Sequence, residues 1–209
     1  CINPFPLVAD YGDEEDILTG LIMAMAAPTQ PLSDLQTAEL KRSMRAVWDE
    51  RGRGMTIDDL AARLTSHEDQ RIRDVGNQLY PFTSLGEYGR YLVGENSVSF
   101  KKDFTVLELE ALKGRKHLQQ VVLLELVYQI QQTVYRGDRS RPKLVIIDEA
   151  WDLLSSSSVG GFMNDAYRRF RKYGASAIVI MQSISDLYEN PVGRAIAENS
   201  PNMYLLGQK

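Results

Sequence analysis

Apolar residues recur at helical spacing through the first half of the chain, from about residue 13 to residue 93. Spacings of three and four residues place these side chains on one face of a helix. The pattern predicts helices that begin at residues able to cap them: Asp13, Ser33 with Gln36, Thr56 with Asp59, Ser66 with Asp69, and Thr83. The expected stops are Pro28, Gly52 and Gly94. This half is therefore predicted to be a small helical bundle.

The second half alternates short apolar runs with helical patterns. Strands are predicted at 104–109, 144–147, 175–181 and 202–206, and helices at 117–135, at 161–173 and after Asn190-Pro191. The 144–147 run is apolar throughout, which is typical of a strand buried on both faces. This alternation predicts an α/β fold with a mostly parallel sheet. Residues 2–8 could add an earlier strand or loop, which would make the helical bundle an insertion.

Two carboxylates, Asp148 and Glu149, directly follow the 144–147 run. Open α/β sheets bind their ligands at the carboxyl ends of the strands. A nucleotide-hydrolysing site needs one carboxylate to hold Mg²⁺, usually through water, and a second to orient or deprotonate the attacking water. Asp148 fits the first role and Glu149 the second. The alternative is a strand that ends in solvent with two ordinary surface acids.

Gln182 ends the next predicted strand. A neutral polar side chain there can touch both the γ-phosphate and the water, and so sense which nucleotide is bound. The alternative is a strand-terminal glutamine bonded to neighbouring backbone.

An arginine-rich segment lies between these two strands and contains Arg168 and Arg171. Their spacing of three places both on one helix face. An arginine offered to a neighbouring subunit's γ-phosphate stabilises the charged transition state. A solvated basic face, or a complement to a helix dipole, explains the same residues.

A second basic stripe comprises Lys41, Arg42, Arg45, Arg51 and Arg53. It is interpreted as an ordinary exposed face, with a surface for docking a partner as the alternative.

Composition bounds the possible functions. The hydrophobic fraction of 44%, the charged fraction of 25% and the net charge of −4 are those of a globular domain without an overall basic surface for nucleic acid. The single cysteine, Cys1, excludes an internal disulfide and a cysteine metal cluster. His67 and His117 have no second ligand at metal-site spacing. No apolar stretch is long enough for a transmembrane helix, and the first residues lack the pattern of a secretory leader, so neither is expected.

The phosphate-binding loop G-x-x-x-x-G-K-[ST] does not occur in the sequence. The chain thus carries the metal-and-water half of a nucleotide site without the half that cradles the phosphates. It also opens without an initiator Met, and both features lead us to expect a piece of a longer protein.

Five segments in this order resemble the TraC-like ATPases of F-type conjugation, a branch of the type IV secretion ATPases. They are YLVGEN at 91–96, TVLELEALK at 105–113, LVIIDEAWDLL at 144–154, YRRFRKYG at 167–174 and QSISDLY at 182–188. The match covers essentially the whole chain. The sequence departs from the family in lacking the P-loop, and in having Met181 where relatives usually place Thr.

The resemblance implies a RecA-like P-loop NTPase core with an inserted all-α helical subdomain. Residues 1–12 would begin the core, 13–94 would form the insertion, and 95–209 would hold the Walker B and sensor motifs. It implies ATP and Mg²⁺ as cofactors of the parent protein, with Asp148 on the Mg²⁺ side. Glu149 would be the base, Gln182 the sensor, and Arg171 or Arg168 the contact across subunits.

The same resemblance implies a hexamer on the cytoplasmic face of the bacterial inner membrane, bound to other type IV secretion subunits. The leading hypothesis is the C-terminal part of an ATPase that powers pilus assembly or DNA transfer, inactive without its upstream P-loop. One alternative is a non-catalytic module for oligomerisation or docking. Another is a DNA-pumping or coupling relative, against which the acidic net charge argues.

Overall fold

The computed structural model describes residues 1–94, 96–100, 102–112, 114–148, 169–189 and 191–207. The chain divides into two compact units, Cys1–Gln129 and Ile130–Lys209. The first unit is helical, and the second contains the parallel strands. No helix within the described ranges combines the length and apolar character needed to cross a membrane.

Within the described residues, six α-helices precede the first strand. They are α1 (Tyr11–Ala26), α2 (Asp34–Arg51), α3 (Ile57–Thr65), α4 (Gln70–Gln78), α5 (Gly89–Leu92) and α6 (Lys116–Arg136). Both predicted capping boxes that start with Ser33 and Thr56 are confirmed, because each hydroxyl accepts the N3 backbone N–H and each N3 side chain accepts the cap N–H. Gly52 ends α2 with a φ of 55°, a conformation that other residues rarely adopt.

Three predicted helix starts are wrong. Helix α1 begins earlier, because Asp10 rather than Asp13 caps it; the Asp10 carboxylate accepts the Asp13 N–H at 3.1 Å. Ser66 ends α3 instead of opening α4, since its N–H bonds to the Ala62 carbonyl at 3.2 Å, and Asp69 caps α4. Thr83 donates its hydroxyl to the Tyr80 carbonyl at 2.8 Å, which closes a 3₁₀ turn over Tyr80–Phe82 and delays α5 to Gly89.

The core of the first unit is made by the apolar faces of α1 to α4 and the start of α6. Its fully buried side chains include Leu18, Ile22, Met25, Leu40, Met44, Leu60, Leu64, Val75, Leu118 and Val121. Each such side chain contributes about 1.5–3 kcal/mol by leaving water. The helices of the first unit thus share one packed core.

One buried carboxylate, Glu14, ties the start of α1 to α6. Its Oε1 accepts the backbone N–H groups of Ala9 and Asp10 at 3.0 and 3.2 Å. The Tyr128 hydroxyl of α6 donates to Oε2 of the same carboxylate. A buried carboxylate needs such donors to offset its lost hydration. The segment before α1 is a 3₁₀ turn over Phe5–Leu7, so the loop alternative holds for residues 2–8.

The described part of the second unit contains two paired strands, β1 (Lys143–Ile147) and β2 (Ala175–Val179). They run parallel, with Lys143 opposite Ala175 and Ile147 opposite Val179. One sheet face packs on the last turns of α6 through Ile130, Val134, Val145 and Ala177. Two short helices follow, α7 (Ile184–Glu189) and α8 (Pro191–Asn199), the second starting at Pro191 as predicted.

Several strand predictions are wrong within the described residues. Residues 104–109 and 202–206 lie outside any strand, because no described neighbour pairs with their backbone. Strand β1 is not buried on both faces, since Leu144 is 57% and Ile146 55% exposed. Residues 161–168 of a predicted helix, and Asn190, lie outside the described residues.

Candidate functional site

Asp148 and Gln182 lie at the same edge of the parallel sheet. Asp148 directly follows β1, and Gln182 comes three residues after the end of β2. The strand ladder continues by one more bond, from the Ile180 N–H to the Ile147 carbonyl at 2.9 Å. Both side chains are exposed. The two residues therefore flank the C-terminal edge of the sheet, where open α/β folds place their ligands.

The turn that carries Gln182 is closed by its neighbour Ser183. The Ser183 hydroxyl accepts the Ser185 N–H at 3.2 Å, just where α7 begins. Serine commonly makes this bond at a helix start, because its side chain competes with the backbone for local donors. The bond fixes the backbone on one side of Gln182, and β2 fixes it on the other.

The structure describes the position of one of the three other predicted catalytic residues, Arg171. Glu149 and Arg168 lie outside the described residues. Arg171 begins a 3₁₀ turn over Arg171–Tyr173 immediately before β2, at the amino end of that strand. At about 3.3 Å per residue, the five-residue strand separates it by roughly 16 Å from the edge that carries Asp148. The fold therefore does not bring Arg171 to Asp148 and Gln182 of the same chain.

Arg171 is held in an exposed position by its surroundings. Gly174 has a φ of 69°, and a Cβ there would lie 2.8 Å from the Arg139 carbonyl oxygen, so the turn requires glycine. The Tyr173 ring stacks under the Arg139 guanidinium at 4.9 Å and contacts Tyr135 at 4.6 Å between ring centroids. Among the described residues no carboxylate pairs with Arg171. Its charge faces solvent.

The second basic stripe makes contacts within the first unit. Lys41 bonds Asp16 at 2.6 Å, and this hydrogen bond raises the pKa of Lys41. Arg45 lies 3.9 Å from Glu15 and 4.6 Å from the Tyr11 ring centroid. The remaining contacts join Arg42 to Glu39, Arg51 to Asp59 and Arg53 to the Val8 carbonyl. Lys41 and Arg45 thus link α2 to α1, and Arg51 links α2 to α3. Each exposed pair adds about 0–1 kcal/mol.

Both histidines have structural partners. The His67 Nδ1 accepts the Asp69 N–H at 3.0 Å, which leaves Nε2 toward Glu39 at 3.8 Å. The His117 Nε2 lies 2.9 Å from the Ala24 carbonyl, and the ring stands edge-on to Phe82. Across the described ranges no group of three or more His, Cys, Asp or Glu side chains could hold a metal ion.

A further cluster was missed by the sequence reasoning. The Tyr91 hydroxyl lies between the guanidinium groups of Arg90 and Arg115, at 2.8 and 3.3 Å. Arg115 comes from the start of α6, 24 residues away. Sequence spacing cannot predict that these three side chains come together. The basic residues at the start of α6 were nevertheless a sequence signal of unbalanced positive charge.

Comparison with known proteins places the chain in a family. A family model described as the TraG P-loop domain matches residues 55–209, and the chain belongs to this family. Protein TraC of Escherichia coli (strain K12) is 29% identical over 198 residues, covering 88% of this chain and 23% of TraC. Conjugal transfer protein TrbE of Rhizobium radiobacter is 23% identical over 154 residues, covering 74% of this chain and 18% of TrbE. The chain thus spans less than a quarter of these relatives.

A solved structure supports the same assignment at the level of fold. VirB4 of Thermoanaerobacter pseudethanolicus superposes with a TM-score of 0.78 at 21% identity, over 93% of this chain and 58% of that one. The α/β prediction with a RecA-like P-loop NTPase fold is confirmed. The resemblance to TraC-like conjugative ATPases is confirmed as well.

Proposed function

We propose that this chain is the hydrolytic part of an ATPase in a conjugative type IV secretion system, which powers pilus assembly or DNA transfer. The observation that carries the proposal is the position of Asp148 and Gln182 past the ends of neighbouring parallel strands. Membership of the TraG P-loop domain family and the names of the relatives support it.

Asp148 is the residue proposed to hold Mg²⁺. Its carboxylate is exposed and follows a strand end, and an oxygen ligand of this kind suits Mg²⁺, which keeps several waters and is bound by one or two carboxylates with substrate phosphates. When bound, the ion neutralises charge that develops on the phosphates. Glu149 then orients and deprotonates the attacking water, and Gln182 contacts the water and the terminal phosphate.

Arg171, with Arg168 as the alternate, is proposed to act on the nucleotide of a neighbouring subunit in a hexameric ring. Two observations support a role in trans. Arg171 lies at the opposite end of β2 from Asp148, and its exposed charge has no carboxylate partner among the described residues. An arginine supplied across an interface is worth roughly 10³–10⁵ in turnover.

The larger arrangement is also a proposal. Residues 1–12 and 95–209 form the α/β core, and 13–94 the helical insertion. The parent protein, with its P-loop, oligomerises at the cytoplasmic face of the inner membrane and binds other secretion subunits. Without a P-loop, the 209-residue chain alone binds ATP weakly and does not hydrolyse it.

A second candidate, a docking or oligomerisation module, is favoured by one observation. The sheet face opposite α6 exposes aliphatic side chains, with Leu144 57%, Ile146 55% and Ile178 45% exposed. Exposed apolar faces of this kind mark surfaces that another chain or segment covers. The same face serves both candidates, because a motor subunit must also assemble.

The test uses the parent polypeptide that contains a P-loop. Glu149→Gln keeps the shape of the side chain and removes the base, so ATP binding should persist while turnover falls roughly 10²–10⁴-fold. Glu108→Gln, at an exposed position outside the sheet, is the matched control and should leave turnover unchanged. Unchanged steady-state hydrolysis in Glu149→Gln would show that the base has been assigned wrongly.

A further inference from the structure

Two arginines converge on one neutral oxygen in the first unit. Arg90 Nη2 donates to the Tyr91 hydroxyl at 2.8 Å, and Arg115 Nη1 donates to the same oxygen at 3.3 Å. The Arg90 guanidinium also lies 4.8 Å from the centroid of the Tyr91 ring. A phenol oxygen can accept two hydrogen bonds and still donate its own hydrogen. Three donors therefore meet at one exposed point.

Among the described residues, no carboxylate balances this concentration of positive charge. Within the described part of the chain, neither Arg90 nor Arg115 forms an ion pair, and the contacts to Tyr91 are their side-chain bonds. The basic stripe on α2 differs, because there Lys41, Arg42 and Arg45 face carboxylates. Like charges brought to one oxygen repel each other unless an anion lies between them.

The start of α6 adds further positive charge that no acidic residue in its first turn balances. The Arg115 carbonyl accepts the Gln119 N–H at 2.9 Å, so Arg115 stands at the first position of the helix backbone ladder. The first turn of α6 contains no acidic residue, and Lys116 and His117 follow Arg115. The amino end of a helix carries partial positive charge and favours anions, so cationic residues are unfavourable there. An anion would relieve both effects.

The cluster is held in place by tight backbone packing. The Tyr91 carbonyl accepts the Ile2 N–H at 2.7 Å. Gly89, just before Arg90, is so close to the preceding loop that a Cβ would lie 2.1 Å from the Thr83 carbonyl oxygen. The donors are thus positioned before any ligand arrives, which lowers the ordering cost of binding.

We propose that Arg90, Tyr91 and Arg115 form a binding site for a phosphate monoester. Such a group carries nearly two negative charges at neutral pH and three acceptor oxygens, which matches two guanidinium groups and one hydroxyl. A nucleic-acid backbone fits less well, because it needs a basic track along several phosphates, and the α2 arginines are engaged with carboxylates. The phosphate can belong to a free molecule or to a lipid headgroup. This site is additional to the hydrolytic role proposed above and does not depend on it.

The test measures binding of inorganic phosphate to the 209-residue chain by calorimetry at low ionic strength, with chloride at equal ionic strength as the blank. A saturable one-to-one heat is expected. Arg90→Gln or Arg115→Gln should weaken binding roughly 10- to 100-fold, the worth of one charge-assisted hydrogen bond. Arg42→Gln, another exposed arginine, is the matched control and should change affinity less than about twofold.

Thermal unfolding in chloride separates loss of the site from loss of the fold. Arg115→Gln should melt no lower than the unmodified chain, because it relieves repulsion. Phosphate should raise the melting temperature of the unmodified chain and of Arg42→Gln, but not that of Arg115→Gln. Co-sedimentation with vesicles of phosphatidic acid, compared with phosphatidylglycerol, identifies a lipid source if the monoester lipid alone binds. Calorimetric binding without such co-sedimentation identifies a free phosphate.

Three results would overturn the proposal. One is the absence of both phosphate heat and vesicle discrimination. Another is an equal loss of affinity in Arg42→Gln. The third is binding of a single-stranded oligonucleotide that is abolished by these substitutions while phosphate and phosphatidic acid do not bind, which would assign the cluster to nucleic acid.

Discussion

The most informative stability prediction concerns Glu125, a carboxyl on α6 that is 0% exposed. Gln129 Nε2 donates to its Oε1 at 2.8 Å, and its Oε2 has no hydrogen-bond partner among the described residues. Burial raises the pKa of Glu125 well above its ordinary value, and the bond from Gln129 opposes this only in part. The folded chain therefore keeps Glu125 neutral to a higher pH than the unfolded chain does.

The sign of the pH dependence follows from linkage. The unfolded chain releases the Glu125 proton above about pH 4.3, while the folded chain retains it up to the raised pKa. Between these two pKa values the folded state binds more protons than the unfolded state, so stability falls as pH rises. The slope is about 1.4 kcal/mol per pH unit. The buried carboxyl therefore costs folding free energy that increases with pH throughout this window.

Glu125→Gln removes this cost, because glutamine has the same shape and does not ionise. Urea unfolding followed by circular dichroism between pH 4.5 and 7 should give equal stabilities at the acid end. Above it the advantage of the variant should increase with pH, by at most about 1.4 kcal/mol per pH unit. Glu108→Gln, at an exposed position, is the control and should show no such trend. A variant less stable than the unmodified chain at pH 6, or a difference independent of pH, would refute the reasoning.

Further expected outcomes test packing and the ring. Gly89→Ala should destabilise the chain by about 1–3 kcal/mol, because its Cβ would meet the Thr83 carbonyl oxygen at 2.1 Å. Gly20→Ala on α1 meets nothing within 4 Å and should stabilise the chain by about 1 kcal/mol. Thermal melts of both variants check this difference, and equal effects would contradict it. In the P-loop-containing parent, mixing inactive Arg171→Ala and Glu149→Gln proteins should restore part of the ATPase activity, because mixed rings contain interfaces with an intact arginine facing an intact glutamate. A mixture no more active than its components would remove the assignment of Arg171 in trans.

Local rules predicted much of the helical unit. The capping boxes at Ser33 and Thr56 are encoded within four residues, so the sequence alone places them. Two of the three wrong helix starts occurred where two capping residues compete. Ser66 and Asp69 both suit a helix start, and the choice depends on whether α3 continues to Ser66, which its bond to Ala62 determines.

The strand predictions failed for a different reason. Residues 104–109 and 202–206 have strand-like composition, yet in the described structure they find no partner. A strand forms only when another backbone accepts and donates its hydrogen bonds, and that partner is not encoded in the segment itself. Strands β1 and β2 formed because each supplies the other's partner.

The two sites also differ in how far the sequence predicts them. Asp148 and Gln182 follow neighbouring strands, and the expectation that parallel strands bring their carboxyl ends to one edge was sufficient to place them together. The cluster of Arg90, Tyr91 and Arg115 joins separate segments through side-chain length and direction. No spacing rule covers such contacts, so only the folded chain shows them.

The central claim is that this chain supplies the metal-and-water half of an ATPase site and requires a phosphate-binding half from its parent. The most direct measurement compares Mg-ATP hydrolysis by three proteins: the 209-residue chain, the parent polypeptide with a P-loop, and that parent with Asp148→Asn. We predict no turnover by the chain alone, Mg²⁺-dependent turnover by the parent, and a loss of roughly 10² or more in the variant. Micromolar Mg-ATP affinity with turnover in the chain alone, or unchanged hydrolysis in Asp148→Asn, would contradict the account.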